Sequence, residues 1–436
     1  MPVRMLKDAK PAERRKAEEE QLAQVVAGMI AEVRARGDAA VREYSSRLDR
    51  WSPASFRLSA DDLAAIVRQV PETVLEDIRF AQKQVRDFAR AQRATMQDLE
   101  VETLPGVRLG HRHIPIGNVG AYVPGGRFPM VASAHMSVIT AKEAGVPRVA
   151  ATTPPYSGGV PEVTVAAMHL AGADEVYVLG GVQAVAAFGI GTETVEQVDM
   201  LVGPGNAYVA EAKRQLFGEV GLDLLAGPTE ILIVADETAD PQLLATDLLS
   251  QAEHGPNSPA VLISLSEEVA RATMREIDVQ MSHLPTVENA ALAWRDYGQV
   301  IVVDTLDEAV AQADALAFEH VEIQTRKPRY FLERMRNYGA LFLGEETTVA
   351  YGDKAIGTNH ILPTHGTARY TGGLWVGKFL KTVTYQECTR EASGELGGVA
   401  GRLCRIEKFE GHARACDARV DRYGSTGRLS PSVSTR

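Results

Sequence analysis

From about residue 107 to about residue 345, short strand-like apolar runs alternate with longer helical ones, and this alternation constrains the fold more than any other feature. Residues 120–123 read as a strand before a Pro-Gly-Gly turn. SAHMSVITAKEAG then reads as helix, VPRVAATTPP as strand and loop, and VTVAAMHLAGA as helix. EVYVLGG reads as strand, VQAVAAFGIG as helix, DMLVGPGN as strand and loop, and AYVAEAKRQLFG as helix. A second series runs through ILIVAD, LLATDLLSQAEH, PAVLISL, QVIVVD and ALFLGE. Strands separated by helices cannot pair through tight hairpins. They form parallel sheets covered by helices on both faces. AGPTE, at residues 226–230, sits between the two series as a hinge or crossover.

The flanks differ. At 436 residues the chain is too long for one ordinary core, so two principal domains with appendages are expected. Residues from about 11 to 100 read as helical. QVVAGMIAEV ends at Gly37-Asp38, Ser59 caps LAAIVRQV, and Pro71 opens a helix with Val74, Ile78 and Val85 on one face. Beyond about residue 370 the alternation stops, and GSTGRLSPSVSTR reads as disordered.

A formal net charge of −11 argues against a nucleic-acid or acidic-membrane partner. The charged amino-terminal run has no apolar core of the signal-peptide kind, and no stretch approaches the roughly 18 apolar residues of a membrane span. Cys388, Cys404 and Cys416 are few, late and widely spaced, without a C-x-x-C. A reduced, cytoplasmic setting is expected.

Several clusters could carry chemistry. Gln251 and His254 are three apart near a helix end, so an amide oxygen and an imidazole can share one face and one metal. Glu319-His320 pairs a carboxylate with a group whose ordinary pKa suits a general base; at a strand-to-helix turn both could reach one cleft. Asp353-Lys354 and His360 fall in a loop dense in glycine and polar residues, where Asp353 could ligate a metal. Glu407 and His412 lie five apart in the tail. The glycine loops VLGGVQ and VGPGN each follow a strand and precede a helix, a place for an anion or nucleotide, without a complete G-x-G-x-x-G or P-loop. By spacing alone, each side-chain cluster reads more readily as a helix end, cap or surface group than as a site, and the glycines serve equally for close packing.

In combination they are more specific. AYVPGG, GGVQA, VGPGNAYVAEAK, AGPTEILIVAD, SQAEHGPNSP, Glu319-His320, GDKAIGTNHILPT and the late EGH resemble the histidinol dehydrogenase family in order and spacing. That resemblance implies two Rossmann-like parallel-sheet domains in an aldehyde-dehydrogenase-like architecture. It divides the chain into an arm at 1–20, a discontinuous α/β domain at 21–121 plus 231–369 with catalytic and metal residues, an NAD-binding α/β domain at 122–230, and a dimerisation tail at 370–436. It implies Zn²⁺ on Gln251, His254, Asp353 and His412, the last from the other subunit of an interwoven homodimer. Glu319 and His320 match the catalytic pair, and Tyr122, Gln183 and Asn206 match NAD-contacting positions. Thr229, His360 and Glu407 match substrate-contacting positions.

Some blocks depart from the biosynthetic enzyme. Lys354 stands where Tyr is usual, Phe318 where Pro precedes the Glu-His pair, and Arg127 follows the Pro-Gly-Gly turn. Lys354, the TGG stretch and FEGHARA look more like the sulfopropanediol dehydrogenase branch, although Thr229-Glu230 and Trp375 do not belong to that pattern. The expected function is zinc-dependent, NAD-linked oxidation of a small polar primary alcohol through an aldehyde to a carboxylate. Lys354 favours an anionic substrate; L-histidinol is the alternative. A cysteine-nucleophile aldehyde dehydrogenase is disfavoured because no cysteine precedes Cys388.

Overall fold

The structure, a computed structural model, describes residues 4–10, 15–125, 129–224 and 227–424. Arg127, Ala226 and the terminal run after Gly424 lie outside the described residues. The chain divides into two compact units, residues 1–93 with 116–379 and residues 94–115 with 380–436.

In chain order, β1 (Arg4–Lys7) is followed by helices α1 (Arg15–Arg36), α2 (Asp38–Tyr44), α3 (Ala60–Gln69) and α4 (Glu72–Ala94). Gly37, at φ 53°, breaks α1 from α2, and a reciprocal Ser59–Asp62 capping box starts α3. A hairpin of β2 (Leu99–Leu104) and β3 (Val107–Pro115) belongs to the smaller unit.

The first parallel sheet follows. Its elements are β4 (Asn118–Tyr122), α5 (Val131–Ala134), α6 (Thr140–Ala144), β5 (Arg148–Thr153), α7 (Glu162–Ala171), β6 (Glu175–Val178), α8 (Gly181–Ile190), β7 (Met200–Val202), α9 (Ala207–Leu216) and β8 (Gly221–Leu222). A π-helical turn, His135–Ile139, joins α5 to α6. The strand order is β6-β5-β4-β7-β8, all parallel.

The second sheet is built from β9 (Ile231–Ala235), α10 (Pro241–Ala252), β10 (Ala260–Ser264), α11 (Glu267–Met281), α12 (Val287–Tyr297), β11 (Gly298–Val302), α13 (Leu306–Leu316), β12 (His320–Gln324), α14 (Pro328–Arg334), β13 (Ala340–Leu343) and α15 (Val349–Lys354). Its order is β1-β11-β10-β9-β12-β13, parallel except for β1 at the edge. Both sheets therefore follow one path. The first strand lies in the middle, two more are added on one side, and the chain then crosses to the other. The crossing falls between β4 and β7 in one sheet and between β9 and β12 in the other.

The smaller unit adds β14 (Leu380–Cys388), α16 (Arg390–Ile406) and α17 (Glu410–Tyr423). There β14 pairs antiparallel with β3 from Leu380 opposite Pro115 to Cys388 opposite Val107. This moves residues 94–115 out of the α/β domain to which the sequence assigned them and keeps 370–379 in the larger unit. The partners are far apart in sequence, so no local period reveals the pairing.

The amino-terminal helices also pack otherwise than expected. Val26, Met29, Ile30 and Val33 of α1 join one core cluster with Val185 and Phe188 of α8 and Leu216 of α9, on the first sheet and not the second. Each such side chain contributes roughly 1.5–3 kcal/mol by leaving water. β4, split by the expected boundary at 121–122, is whole and central.

Candidate active site

The first sheet opens at the carboxyl ends of its strands, where its order reverses. Tyr122 ends β4, and its buried hydroxyl accepts a hydrogen bond from the Gly181 N–H at 3.2 Å. Burial, with a smaller push from Asp49, raises that hydroxyl to about 12, so it stays neutral. Gly203 follows β7 at φ 107°, and a Cβ there would overlap the Tyr122 carbonyl oxygen. Only glycine lets the two strand ends approach so closely.

Asn206 caps α9 through Oδ1, which accepts from Val209 N at 3.1 Å. Gln183 on α8 is buried; its Nε2 donates to Asp49 Oδ2 at 2.8 Å, while its Oε1 has no hydrogen-bond partner. Gly28 and Met29 of α1, Asp49, Gly181, Gln183 and Asn206 line a groove of about 690 Å³. Beneath it a buried ion pair fixes the glycine turn. Lys213 Nζ lies 2.5 Å from Asp223 Oδ1 and donates to Gly203 O, while Asp223 Oδ2 accepts from Gly203 N.

The second sheet gathers its polar side chains at the opposite, amino edge. Ala317, left-handed at φ 53°, ends α13 and turns the chain into β12. Glu319 and His320 therefore sit at a helix-to-strand entry, not at the strand-to-helix turn that the sequence suggested. Gly339 is again obligatory, because a Cβ would strike the Glu319 carbonyl.

Glu319 and Glu230, which precedes β9, bond reciprocally. Glu230 N donates to Glu319 Oε2 at 3.1 Å, and Glu319 N donates to Glu230 Oε1 at 3.2 Å. The Thr229 hydroxyl lies 2.7 Å from Glu319 Oε2 and 3.1 Å from Gln251 Oε1, on the last turn of α10.

His320 is buried. Its Nδ1 is 3.2 Å from the Glu230 carbonyl and 3.3 Å from Glu319 Oε2; its Nε2 faces Asp353 Oδ1 at 3.7 Å without a hydrogen-bond partner. A carbonyl only accepts, so Nδ1 carries a proton. Burial pulls the ring down, but Glu319 and Asp353 outweigh it and raise it to about 10. Burial likewise opposes ionisation of Asp353, yet His320, His360 and Lys354 hold it well below the carboxylate range. The packing around His254 lowers its pKa, Asp353 opposing and Lys354 assisting. Lys354 is exposed, with Nζ 3.7 Å from Asp353 Oδ2.

His360 bonds through Nδ1 to the Asp353 carbonyl at 3.0 Å, which leaves Nε2 to accept from Ser133 Oγ at 2.9 Å. The larger unit thus brings together Thr229, Gln251, Glu319, His320 and Asp353, with His254, Lys354 and His360 adjoining. Glu407 and His412 belong to the smaller unit. Both are exposed, at the end of α16 and on the first turn of α17. Sequence reading missed Ser133 and gave Glu230 no role, although burial and Glu319 push the Glu230 carboxyl up to about 8. The one available signal was Glu230's place beside Thr229 in AGPTE.

The histidinol dehydrogenase family model matches residues 12–420. The chain belongs to the histidinol dehydrogenase family. It is 62% identical to a histidinol dehydrogenase homolog of Shouchella clausii (strain KSM-K16), over 92% of this chain and 95% of that one. It is 46% identical to a sulfopropanediol 3-dehydrogenase of Ruegeria pomeroyi (strain ATCC 700808 / DSM 15171 / DSS-3), over 94% of each. The crystal structure of histidinol dehydrogenase from Elizabethkingia anophelis superposes with a TM-score of 0.88 at 30% identity, covering 96% of this chain and 98% of that one. As a member of this histidinol dehydrogenase family, the chain is an oxidoreductase.

The residues fit the cofactors that the family generally uses. For a divalent cation, Gln251, His254 and Asp353 offer an amide oxygen, an imidazole and a carboxylate, donors suited to zinc. They stand at the carboxyl-terminal ends of α10 and α15, where helix dipoles favour positive charge. Among the described residues, no three His, Cys, Asp or Glu side chains converge to hold a metal by themselves. For a dinucleotide, the glycine turn, the orphaned Gln183 Oε1 and the amino-terminal ends of α8 and α9 fit an anionic, hydrogen-bonding ligand. Among the described residues, no helix is long and apolar enough to cross a membrane.

Proposed function

We propose that this chain is a zinc-dependent, NAD-linked dehydrogenase that oxidises a small polar primary alcohol through an aldehyde to a carboxylate, and that its substrate is anionic. One observation carries the reaction type: a buried imidazole whose Nδ1 is fixed by a backbone carbonyl and whose Nε2 is unpartnered, held between Glu319 and Asp353.

Gln251, His254 and Asp353 would hold the cation, which supplies positive charge to orient and polarise the substrate oxygen and to offset the carboxylates that keep His320 protonated. Two molecules of NAD, held in turn by Tyr122, Gln183 and Asn206, would supply a hydride acceptor for each of the two oxidations. His320 Nε2 takes the hydroxyl proton as hydride leaves the carbinol carbon, giving the aldehyde. Glu319 then takes a proton from a water that adds to the aldehyde, and the resulting hydrate loses a second hydride to give the acid. Thr229 steadies Glu319 meanwhile, and Ser133 steadies His360 for substrate contact.

Two observations support an anionic substrate: the exposed Lys354 ammonium beside Asp353, and the 46% identity to a sulfopropanediol 3-dehydrogenase. L-histidinol is the second reading, favoured by the family match and the Elizabethkingia anophelis structure. We also read Glu407 and His412 as completing the site of a second copy in a homodimer. The exposed Leu403, Ile406 and Phe409 around them support that reading.

An NADH-coupled screen tests the proposal, with histidinol set against sulfonated, carboxylated and neutral small diols. Turnover should be fastest with an anionic diol and should be abolished by EDTA. Fast turnover of histidinol alone would overturn the substrate, EDTA-resistant turnover the metal, and full turnover by a dilute monomer the shared site.

A further inference from the structure

Strand β12 reads His320-Val321-Glu322-Ile323-Gln324, and all five residues are buried. A period of two in a strand ordinarily separates a wet face from a dry one. Here helices cover both faces. Val321 and Ile323 join the apolar cluster with α13 and α14, while the polar residues line the side of α10 and α15. The polar stripe is therefore inside the protein.

Glu322 lies at its centre with no exposed surface. Its Oε1 accepts from Val349 N, at the first turn of α15, at 3.0 Å. Its Oε2 accepts from Gln324 Nε2 at 3.1 Å, and the same nitrogen donates to Asp247 Oδ2 on α10 at 2.9 Å. The Thr348 hydroxyl donates to Asp247 Oδ1 at 3.0 Å. In register with Glu322 stand Ile233 on β9 and Phe342 on β13, both apolar.

Both carboxyls accept from the one Gln324 Nε2, so Glu322 Oε2 and Asp247 Oδ2 stand beside one another, and burial and the Asp247 charge together push Glu322 up. Among the described residues, His320 is the other titratable group on this face of β12, two residues away, and the pair's hydrogen-bond partners, Gln324, Thr348 and Val349, carry no charge. Two carboxylates so placed cannot both ionise cheaply.

The three elements tied here are those that carry the candidate site. Gln251 is one helical turn beyond Asp247 on α10, His320 is two residues before Glu322 on the same face of β12, and Asp353 is four residues beyond Val349 on α15. We propose that Asp247 and Glu322 form a proton-sharing carboxyl pair that acts as a positioning clamp, setting the mutual placement of Gln251, His320 and Asp353. The proposal rests on reading those three as site residues. Neither carboxyl touches substrate. The pair holds α10, β12 and α15 in one arrangement, and the shared proton lets the two acids bond where two anions would repel.

Glu322→Gln, Glu322→Ala and Thr348→Val in the full chain test this. The glutamine variant keeps a carbonyl for Val349 and puts an amide donor toward Asp247, and Gln324 accommodates it by turning its unpartnered Oε1 to the new NH2. It should retain kcat within about threefold and keep its bound divalent metal, and rescue by this variant marks a need for a proton, not for a charge.

The wild-type pair gives a signed prediction. Glu322 is raised in the folded state, so the native protein keeps a proton that the unfolded chain has released. Stability therefore falls as pH climbs from the ordinary carboxyl range to about 8, and the glutamine variant should flatten Tm between about pH 5 and pH 8. The alanine variant should lose about 10- to 100-fold in kcat and in metal retention, with KM less affected. Thr348→Val should lose a few-fold in kcat with little change in Tm.

An alanine variant with wild-type kcat and metal content would overturn the clamp. So would a glutamine variant as impaired as alanine, or one with the wild-type dependence of Tm on pH. If the alanine variant does not fold, the glutamine and valine variants decide. A wild-type protein that neither binds metal nor forms NADH would sink the site reading instead, while the Tm comparison still reads the shared proton.

Discussion

The two parallel sheets share one strand path yet place their polar side chains at opposite edges. In the first, Tyr122, Gly203 and Asn206 gather at the carboxyl ends of β4 and β7, the switch point where α/β sheets usually take ligands. In the second, Thr229, Glu230, Glu319 and His320 gather at the amino ends of β9 and β12. Helix polarity gives the difference a physical meaning. Helices returning over a parallel sheet present their amino-terminal ends at its carboxyl edge and their carboxyl-terminal ends at its amino edge. The first sheet thus offers backbone N–H groups, suited to an anionic dinucleotide. The second offers the carbonyl ends of α10 and α15, suited to a cation. One topology supplies both kinds of site, depending on which edge is left open.

Substitutions at each edge should separate the two. The largest effect is expected from His320→Ala, which should lower kcat by roughly 10²–10⁴-fold while leaving bound zinc and NAD affinity intact. Steady-state kinetics with metal analysis checks this, and near-normal turnover would remove His320 from the mechanism. Next is Lys213→Met beneath the first sheet's turn. It leaves Asp223 buried and unpaired and should cost about 3–5 kcal/mol of stability and weaken NAD binding, with the second sheet's metal retained. Denaturant unfolding and NAD titration read it; unchanged NAD affinity in the folded variant would dissociate the ion pair from the groove.

The smallest effect is expected from Glu230→Gln. Glu230 is raised to about 8 when folded, so its proton stabilises the native state at low pH, and that contribution is lost as pH climbs from the ordinary carboxyl range to about 8. The variant should remove that slope, a change of a few degrees in Tm at alkaline pH. A slope identical to wild type would show that Glu230 does not titrate there.

The glycine loops, the alternation of strands with helices and the Glu319-His320 pair were legible because each leaves a short-range mark. The smaller unit was not. β2 and most of β14 are exposed, the Leu99-Glu100-Val101-Glu102 alternation of β2 is too short to reveal its partner, and β14 finds β3 only across most of the chain. The packing of α1 on the first sheet escaped for a related reason: an apolar stripe shows that a face is buried, not against what. Glu230, Asp247 and Glu322 read locally as ordinary surface acids. Only the helices stacked over both faces of β12 make Glu322 an interior group.

The sequence by itself determined the class of fold and the family, because those follow from periodicity and from ordered motifs. The tertiary structure decided which edge of each sheet the side chains occupy, which nitrogen of His320 is left unpartnered and which carboxyls share a proton. Those depend on distances between strands and helices far apart in the chain, and on the low-polarity surroundings that only the packed fold creates.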